Sequence, residues 1–290
     1  MIPYEWKRIQ RLISMLTLVS GLILCAALPA QAQAAGEANL RNDKRSNITN
    51  RYGVWFGWFG AGFKSQVQLN SQLLDLGAFI QFERTFDLPD QKNTFRIEAY
   101  YRFNPRHRVQ FGYYNYRRTG VKTVNEELRF GDLVIPIGAS SEATMGTRLL
   151  KGVYRYALFN NGVFESGLSV GISLMKLDVG LNTQILNQSN SESASVTLPL
   201  PLVGFYASNR LWQKWFLIYS VDFFTAKIDV YDGSLVDFIM GLEYYPFNHI
   251  GFGLVANAFK IDLEANDPGN FDGKVNYELR GLAVYLSFVF

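Results

Sequence analysis

One cysteine, Cys25, and two histidines, His107 and His249, are all that 290 residues contain of either type. Cys25 sits inside the apolar N-terminal stretch LISMLTLVSGLILCAAL, preceded by the bulky Leu24 where a lipidation site favours a small residue. The chain beyond it has no thiol, which excludes a disulfide framework, a cysteine-ligated zinc and a thiol nucleophile there. Net charge is small as well: +3, falling to +1 without Lys7, Arg8, Arg11 and Glu5. Such a balance gives no reason to expect nucleic acid as a partner. After the N-terminal stretch no apolar segment approaches the ~18–20 residues that a membrane helix needs.

What is present begins with a secretory leader. A basic segment, MIPYEWKRIQR, precedes the apolar stretch, and PAQAQAAG follows it with two overlapping small-x-small sites, Ala30-Gln31-Ala32 and Ala32-Gln33-Ala34. Residues 1–34 are therefore expected to be a cleaved signal peptide, and the apolar stretch its h-region. Residues 35–51, ending in NLRNDKRSNITNR, show no apolar periodicity and are expected to be a flexible segment. Aromatics make up 15% of the sequence and mean hydropathy is +0.00. An exported, aromatic-rich chain without a second membrane helix points to a transmembrane β-barrel over residues 52–290.

The strands carry the argument. In VFESGLSVGISLM, Phe164, Leu168, Val170, Ile172 and Leu174 alternate with Glu165, Gly167, Ser169, Gly171 and Ser173. In TFRIEAYYRF, Phe95, Ile97, Ala99, Tyr101 and Phe103 oppose Arg96, Glu98, Tyr100 and Arg102. In LVDFIMGLEYY, Val236, Phe238, Met240, Leu242 and Tyr244 oppose Asp237, Gly241 and Glu243. Period two with one apolar face is a strand against a core or against lipid. Further runs lie near 74–86, 107–118, 148–159, 196–210, 215–230, 251–263 and 275–290, whereas YGVWFGWFGAGF (52–63) is apolar on both faces.

Short connectors, FNPRH, FNNG, LWQK and PFNH, alternate with long polar ones near 119–145, 180–195 and 265–274, and a shorter one at 230–235. Outer-membrane barrels have short periplasmic turns and longer outer loops. The fold class expected is all-β: a transmembrane antiparallel up-and-down barrel of about ten strands, with 74–86 among them. Twelve is the alternative, if VNEELRFGDLVIPIGAS hides a hairpin and 52–66 pairs as well. A soluble sandwich or barrel is the competing class, and it leaves the terminal apolar-aromatic strand unexplained.

The phase of the alternation turns Arg96, Glu98, Arg102, Lys151, Arg155, Glu165, Asp222, Asp237 and Glu243 into the lumen. An Arg or Lys facing lipid near the midplane would cost ~2–4 kcal/mol, so the inward assignment is physically driven. Basic members lie in the earlier strands and acidic ones in the later. Facing one another across a closed barrel, they make either a salt-bridged interior or a narrow pore with a charged constriction. Both histidines fall in or beside the short turns, away from any outer-leaflet substrate, so no catalytic residues are assigned. No His or carboxylate cluster has metal-ligand spacing, and LEANDPGNFDG (263–273) lacks the D-x-D-x-D-G calcium framework; no metal or cofactor is expected.

The chain ends in RGLAVYLSFVF, with Val284, Leu286, Phe288 and Phe290 in one phase. This end, together with AQAQA and the alternating strands, resembles the outer-membrane β-barrel proteins of Gram-negative bacteria. YRFNPRHRV resembles a recurrent turn of small, OmpW-like barrels. The resemblance implies location in the outer membrane, contact with its lipid, and delivery by periplasmic chaperones to a barrel-assembly machinery that reads Val284, Leu286, Phe288 and Phe290. It does not imply a substrate. The functional expectation is a narrow pore or small-solute binding and transport barrel with a charged lumen, not an enzyme. The alternatives are a closed structural or adhesive barrel acting through its outer loops, and a lipid-directed hydrolase.

Overall fold

Period-two sequence becomes long strands. The computed structural model describes residues 48, 50–69, 80–125, 127–130, 133–185, 188–228, 231–267 and 271–290. The leader, 1–34, lies outside them, as does most of the 35–51 segment. In chain order the elements are β1 (Tyr52–Leu69), β2 (Ile80–Gln81), α1 (Phe82–Thr85), β3 (Gln91–Asn104), β4 (His107–Thr123), β5 (Leu128–Phe130), β6 (Leu133–Ile135), β7 (Ser140–Asn160), β8 (Phe164–Ile185), β9 (Gln188–Trp212), β10 (Trp215–Ile228), β11 (Tyr231–Tyr244), β12 (Ile250–Asp267) and β13 (Phe271–Val289). Strands β1, β3, β4 and β7 to β13 form one antiparallel sheet in sequence order. It closes through β1 and β13, paired from Gly53↔Val289 to Leu69↔Gly273. The result is the expected up-and-down barrel, and it has ten strands.

The membership of the ten differs from the expectation in two places. The stretch 52–63 is a full barrel strand, apolar on both faces because both faces meet apolar surroundings. Trp55, Phe59 and Phe63 are buried inside, while Phe56 and Trp58 are exposed outside. The described part of 74–86 adds no barrel strand: two residues pair with β1 and the chain then turns into the single-turn α1. Phe82 and Phe86, one helical turn apart, are both fully buried, so a helical rather than a strand period governs here. The hairpin suspected within 124–140 exists, but β5 and β6 form their own two-stranded sheet outside the barrel. The long connectors near 119–145, 180–195 and 265–274 are largely strand, because β4, β7, β8, β9, β12 and β13 run on into them, and β11 takes up most of 230–235.

Tight turns close the opposite end. Asn104 Oδ1 accepts from the N–H groups of Arg106 (2.9 Å) and His107 (3.2 Å), and Asn161 Oδ1 from those of Val163 and Phe164. Gly162 takes φ +84°, a left-handed backbone that glycine adopts without steric cost. Aromatic rings gather at this short-turn end: Tyr52 stacks on Phe290 at 5.6 Å, and Trp215 lies 4.7 Å from Tyr244.

Along several strands the sense of the alternation reverses. In β8, Leu168, Val170, Ile172 and Leu174 are exposed while Glu165, Ser169 and Ser173 are buried. Past Leu174 the inward residues are Met175, Leu177, Val179 and Leu181, and Lys176 and Asp178 stand outside. Strand β7 does the same between Leu150 and Arg148, and β13 between Leu282 and Arg280. The half nearer the short turns is polar inside with an exposed apolar band, the pattern of a barrel in hydrocarbon. The half nearer the long hairpins is apolar inside and polar outside, the pattern of a barrel in water. Charge pairs mark the change of medium on the outer surface: Arg148–Asp178 at 3.0 Å, Lys260–Asp262 at 2.8 Å, and Arg280–Glu278.

Candidate functional site in the barrel interior

All nine charges assigned inward from the sequence lie in the interior, each side chain no more than 14% exposed. They form a layer in the half nearer the short turns. Lys151 on β7 reaches Asp222 on β10 at 2.6 Å and Asp237 on β11 at 2.7 Å. Asp222 also accepts from Ser169 Oγ at 2.5 Å, and Asp237 from Asn257 Nδ2 at 2.7 Å. Arg96 pairs with Glu98 and donates weakly to Asn257 Oδ1 at 3.4 Å. Glu98 is further held by Gln110 Nε2 at 2.8 Å and the Tyr114 hydroxyl at 3.2 Å. Nearer the short turns, Arg102 pairs with Glu165 at 2.7 Å. Glu243 accepts hydrogen bonds from the hydroxyls of Tyr285 (2.8 Å) and Tyr245 (3.2 Å). Basic early strands thus meet acidic later strands across the lumen. A buried charge is tolerated when it is paired and its remaining hydrogen-bonding capacity is met.

Between these pairs lies a partly open cavity of about 70 Å³, lined by Trp55, Arg96, Glu98, Arg108, Arg155 and Tyr206 among others. Arg108 and Arg155 are register partners on β4 and β7. Both guanidinium groups sit against the Tyr206 ring, at 5.2 and 4.7 Å from its centre. A cation over an aromatic face is attracted by the ring quadrupole.

Both ends of this layer are filled. On the long-hairpin side, Phe82, Phe86 and Leu88 join Phe59, Phe63 and Tyr116 in one apolar cluster spanning the interior. Arg118 anchors the inward segment: its guanidinium meets Glu83 at 2.7 Å, Ser65 Oγ at 2.6 Å and the Pro89 carbonyl at 3.2 Å. On the short-turn side, Ile48 packs with Phe216, Tyr245 and Val289, all fully buried or nearly so. Ile48 and Asn50, at the end of the 35–51 segment expected to be loose, are buried.

The sequence reading missed Arg108, Gln110, Tyr206, Arg210 and Asn257. The signal for the first two was available, since they share the phase of Tyr114 and Tyr116 on β4. Glu83 had none, because its placement depends on a fold-back that no local period announces. The histidines stay at the short-turn end: His107 Nδ1 contacts the Tyr154 hydroxyl, and His249 Nδ1 donates to the Val289 carbonyl at 2.8 Å. Val284, Leu286 and Phe290 face outward on β13, and Phe290 closes the ring of backbone bonds by accepting from Arg51 and Tyr52.

No protein-family model and no curated protein matches the chain. Among solved structures it is similar to the outer-membrane protease OmpT of Escherichia coli, with a TM-score of 0.55 at 9% identity over 84% of this chain and 98% of that one. Ail, the attachment invasion locus protein of Yersinia pestis, gives a TM-score of 0.34 at 13% identity over 81% and 99% of the two chains. The outer membrane protein OprG of Pseudomonas aeruginosa gives 0.33 at 11% over 83% and 96%. The likeness to OmpT establishes the fold, that of an outer-membrane β-barrel; fold does not carry function.

Proposed function

We propose that this barrel sits in the outer membrane of a Gram-negative cell and binds small solutes in the charged layer of its lumen, on a route closed at rest by Phe82, Phe86 and Ile48. The observation that carries the reading is the charged, aromatic-lined cavity in the barrel interior, with apolar fillings on its two sides. A purely structural interior would be filled throughout by side chains. The short turns then face the periplasm and the long hairpins the outside. On this reading Val284, Leu286, Phe288 and Phe290 are what the assembly machinery reads after delivery by periplasmic chaperones. The chain is not proposed to be an enzyme: both histidines would sit at the periplasmic end, away from any outer-leaflet substrate, which leaves hydrolysis of that lipid without a histidine base.

A second reading, a closed structural or adhesive barrel acting through its outer hairpins, is favoured by the fillings themselves. Single-channel recording decides between them, using the chain expressed with its leader and purified from the outer-membrane fraction. The solute-binding reading expects little conductance from the native barrel. It expects steady channels from Phe82→Ser/Phe86→Ser, with ion selectivity that shifts on adding Asp237→Asn or Arg155→Ala. A well-folded barrel that stays silent in every variant would favour the closed reading.

A further inference from the structure

Among the described residues, six cations share the charged layer with five carboxylates: Arg96, Arg102, Arg108, Lys151, Arg155 and Arg210 against Glu98, Glu165, Asp222, Asp237 and Glu243. The carboxylates are engaged by Arg96, Arg102 and Lys151, or by tyrosine hydroxyls. Arg155 stands apart. It is 9% exposed and, among the described residues, its guanidinium makes no hydrogen bond and no ion pair; its Nε is buried without a partner. Its guanidinium lies over the face of Tyr206, interacts with the Asp222 and Glu98 carboxylates only through their charge, and opens into the cavity. A buried guanidinium without a hydrogen bond is costly, since nearby charges offset its desolvation only in part.

We infer that Arg155 anchors a binding site for a small carboxylate carrying an apolar body, an inference that rests on the solute-binding reading above. One excess positive charge in the layer matches a monoanion. The planar fork of Arg155 suits the two oxygens of a carboxylate. Ser220 brings a hydroxyl to the same cavity, while Trp55, Tyr206 and Ile218 give the rest of the ligand an apolar bed. The cation next to Arg155 on β4, Arg108, adds to the field that draws an anion in.

The test is calorimetric titration of the detergent-purified barrel with benzoate, its neutral counterpart benzamide, and the cation benzylammonium. The expected result is saturable benzoate binding, with benzamide and benzylammonium at least about tenfold weaker. Arg155→Gln should weaken benzoate by about tenfold or more, the scale of a lost charge-assisted pair, and leave benzamide unchanged. Arg280→Gln, on the outer surface, is the control and should bind like the native barrel. Benzoate affinity that survives Arg155→Gln would overturn the assignment. Benzamide or benzylammonium binding as tightly as benzoate would overturn the carboxylate specificity while leaving solute binding intact. No saturable binding of any of the three would sink both. If Arg155→Gln loses the heat-modifiable gel mobility of a folded barrel, Arg155→Lys takes its place. That variant keeps the charge without the fork and should bind benzoate several-fold more weakly, and equal affinity would again overturn the assignment.

Discussion

Lys151 holds the interior together at the scale of single residues. Asp222 and Asp237 are direct register partners on adjacent strands, an arrangement that repels unless a cation sits between them. Lys151 supplies it from across the lumen, with one hydrogen bond to each. Lys151→Met should therefore destabilise the barrel by on the order of 3–5 kcal/mol, the cost of breaking a buried ion pair from one side. Adding Asp222→Asn and Asp237→Asn should restore most of it. Guanidinium unfolding in lipid vesicles, followed by tryptophan fluorescence, measures both. If Lys151→Met unfolds like the native chain, the cluster contributes nothing. Gly204 makes room for the same cluster, since a Cβ there would collide with the Asp222 carboxylate and the Val221 carbonyl. Gly204→Ala should cost about 1–3 kcal/mol in the same assay, the scale of an overpacked core.

At the scale of elements, the seam between β9 and β10 is the weak line of the sheet. Their pairing runs from Trp215↔Trp212 to Phe223↔Val203 and stops, although β9 continues to Gln188 and β10 to Ile228. Pro199 and Pro201, just beyond, have no N–H to donate, whereas the ladder from β9 to β8 continues past them. Leu200, Leu202, Leu235 and the half-buried Phe224 pack inside at this level, so side chains hold the seam where backbone bonds do not. Amide exchange should accordingly be faster for those amides of 224–228 that face β9 than for 216–223, by orders of magnitude if opening is local, while those bonded to β11 stay protected. Uniform protection along β10 would mean the seam is closed by bonds after all.

For the whole molecule, the reversal of alternation fixes where lipid ends. Outward positions below it, such as Val170, should not accept charge: Val170→Lys is expected to cost ~2–4 kcal/mol in vesicles. Thr144, outward on β7 beyond Arg148, lies past the reversal, and Thr144→Lys should fall within about 0.5 kcal/mol of the native chain. Equal costs at the two sites would place the boundary elsewhere. The same reversal explains why the nine inward charges all lie in the half nearer the short turns. Apart from Arg118 with Glu83, interior charges gather where the outside is apolar, and the interior becomes a largely apolar core once the outside is wet.

The barrel and the inward phase of its charges were legible in the sequence because both rest on period two, and a strand exposes its phase locally; the count of ten came out right although 52–63 takes the place expected for 74–86. Glu165 opposite Leu168, or Arg96 opposite Phe95, is enough to say which side each faces. The end of the apolar band was equally visible in β8, at Leu174–Met175, once alternation is followed through its change of sense. The partners were not legible. That Lys151 bridges two aspartates, that Arg102 finds Glu165 and that Arg155 lies over the Tyr206 ring depends on strand stagger and on which residues meet across a closed lumen. Closure is a property of the whole sheet. The inward fold of Phe82 and Phe86 escaped for the same reason, since it is held by Arg118 and Ser65, residues distant in sequence that only the closed barrel brings together.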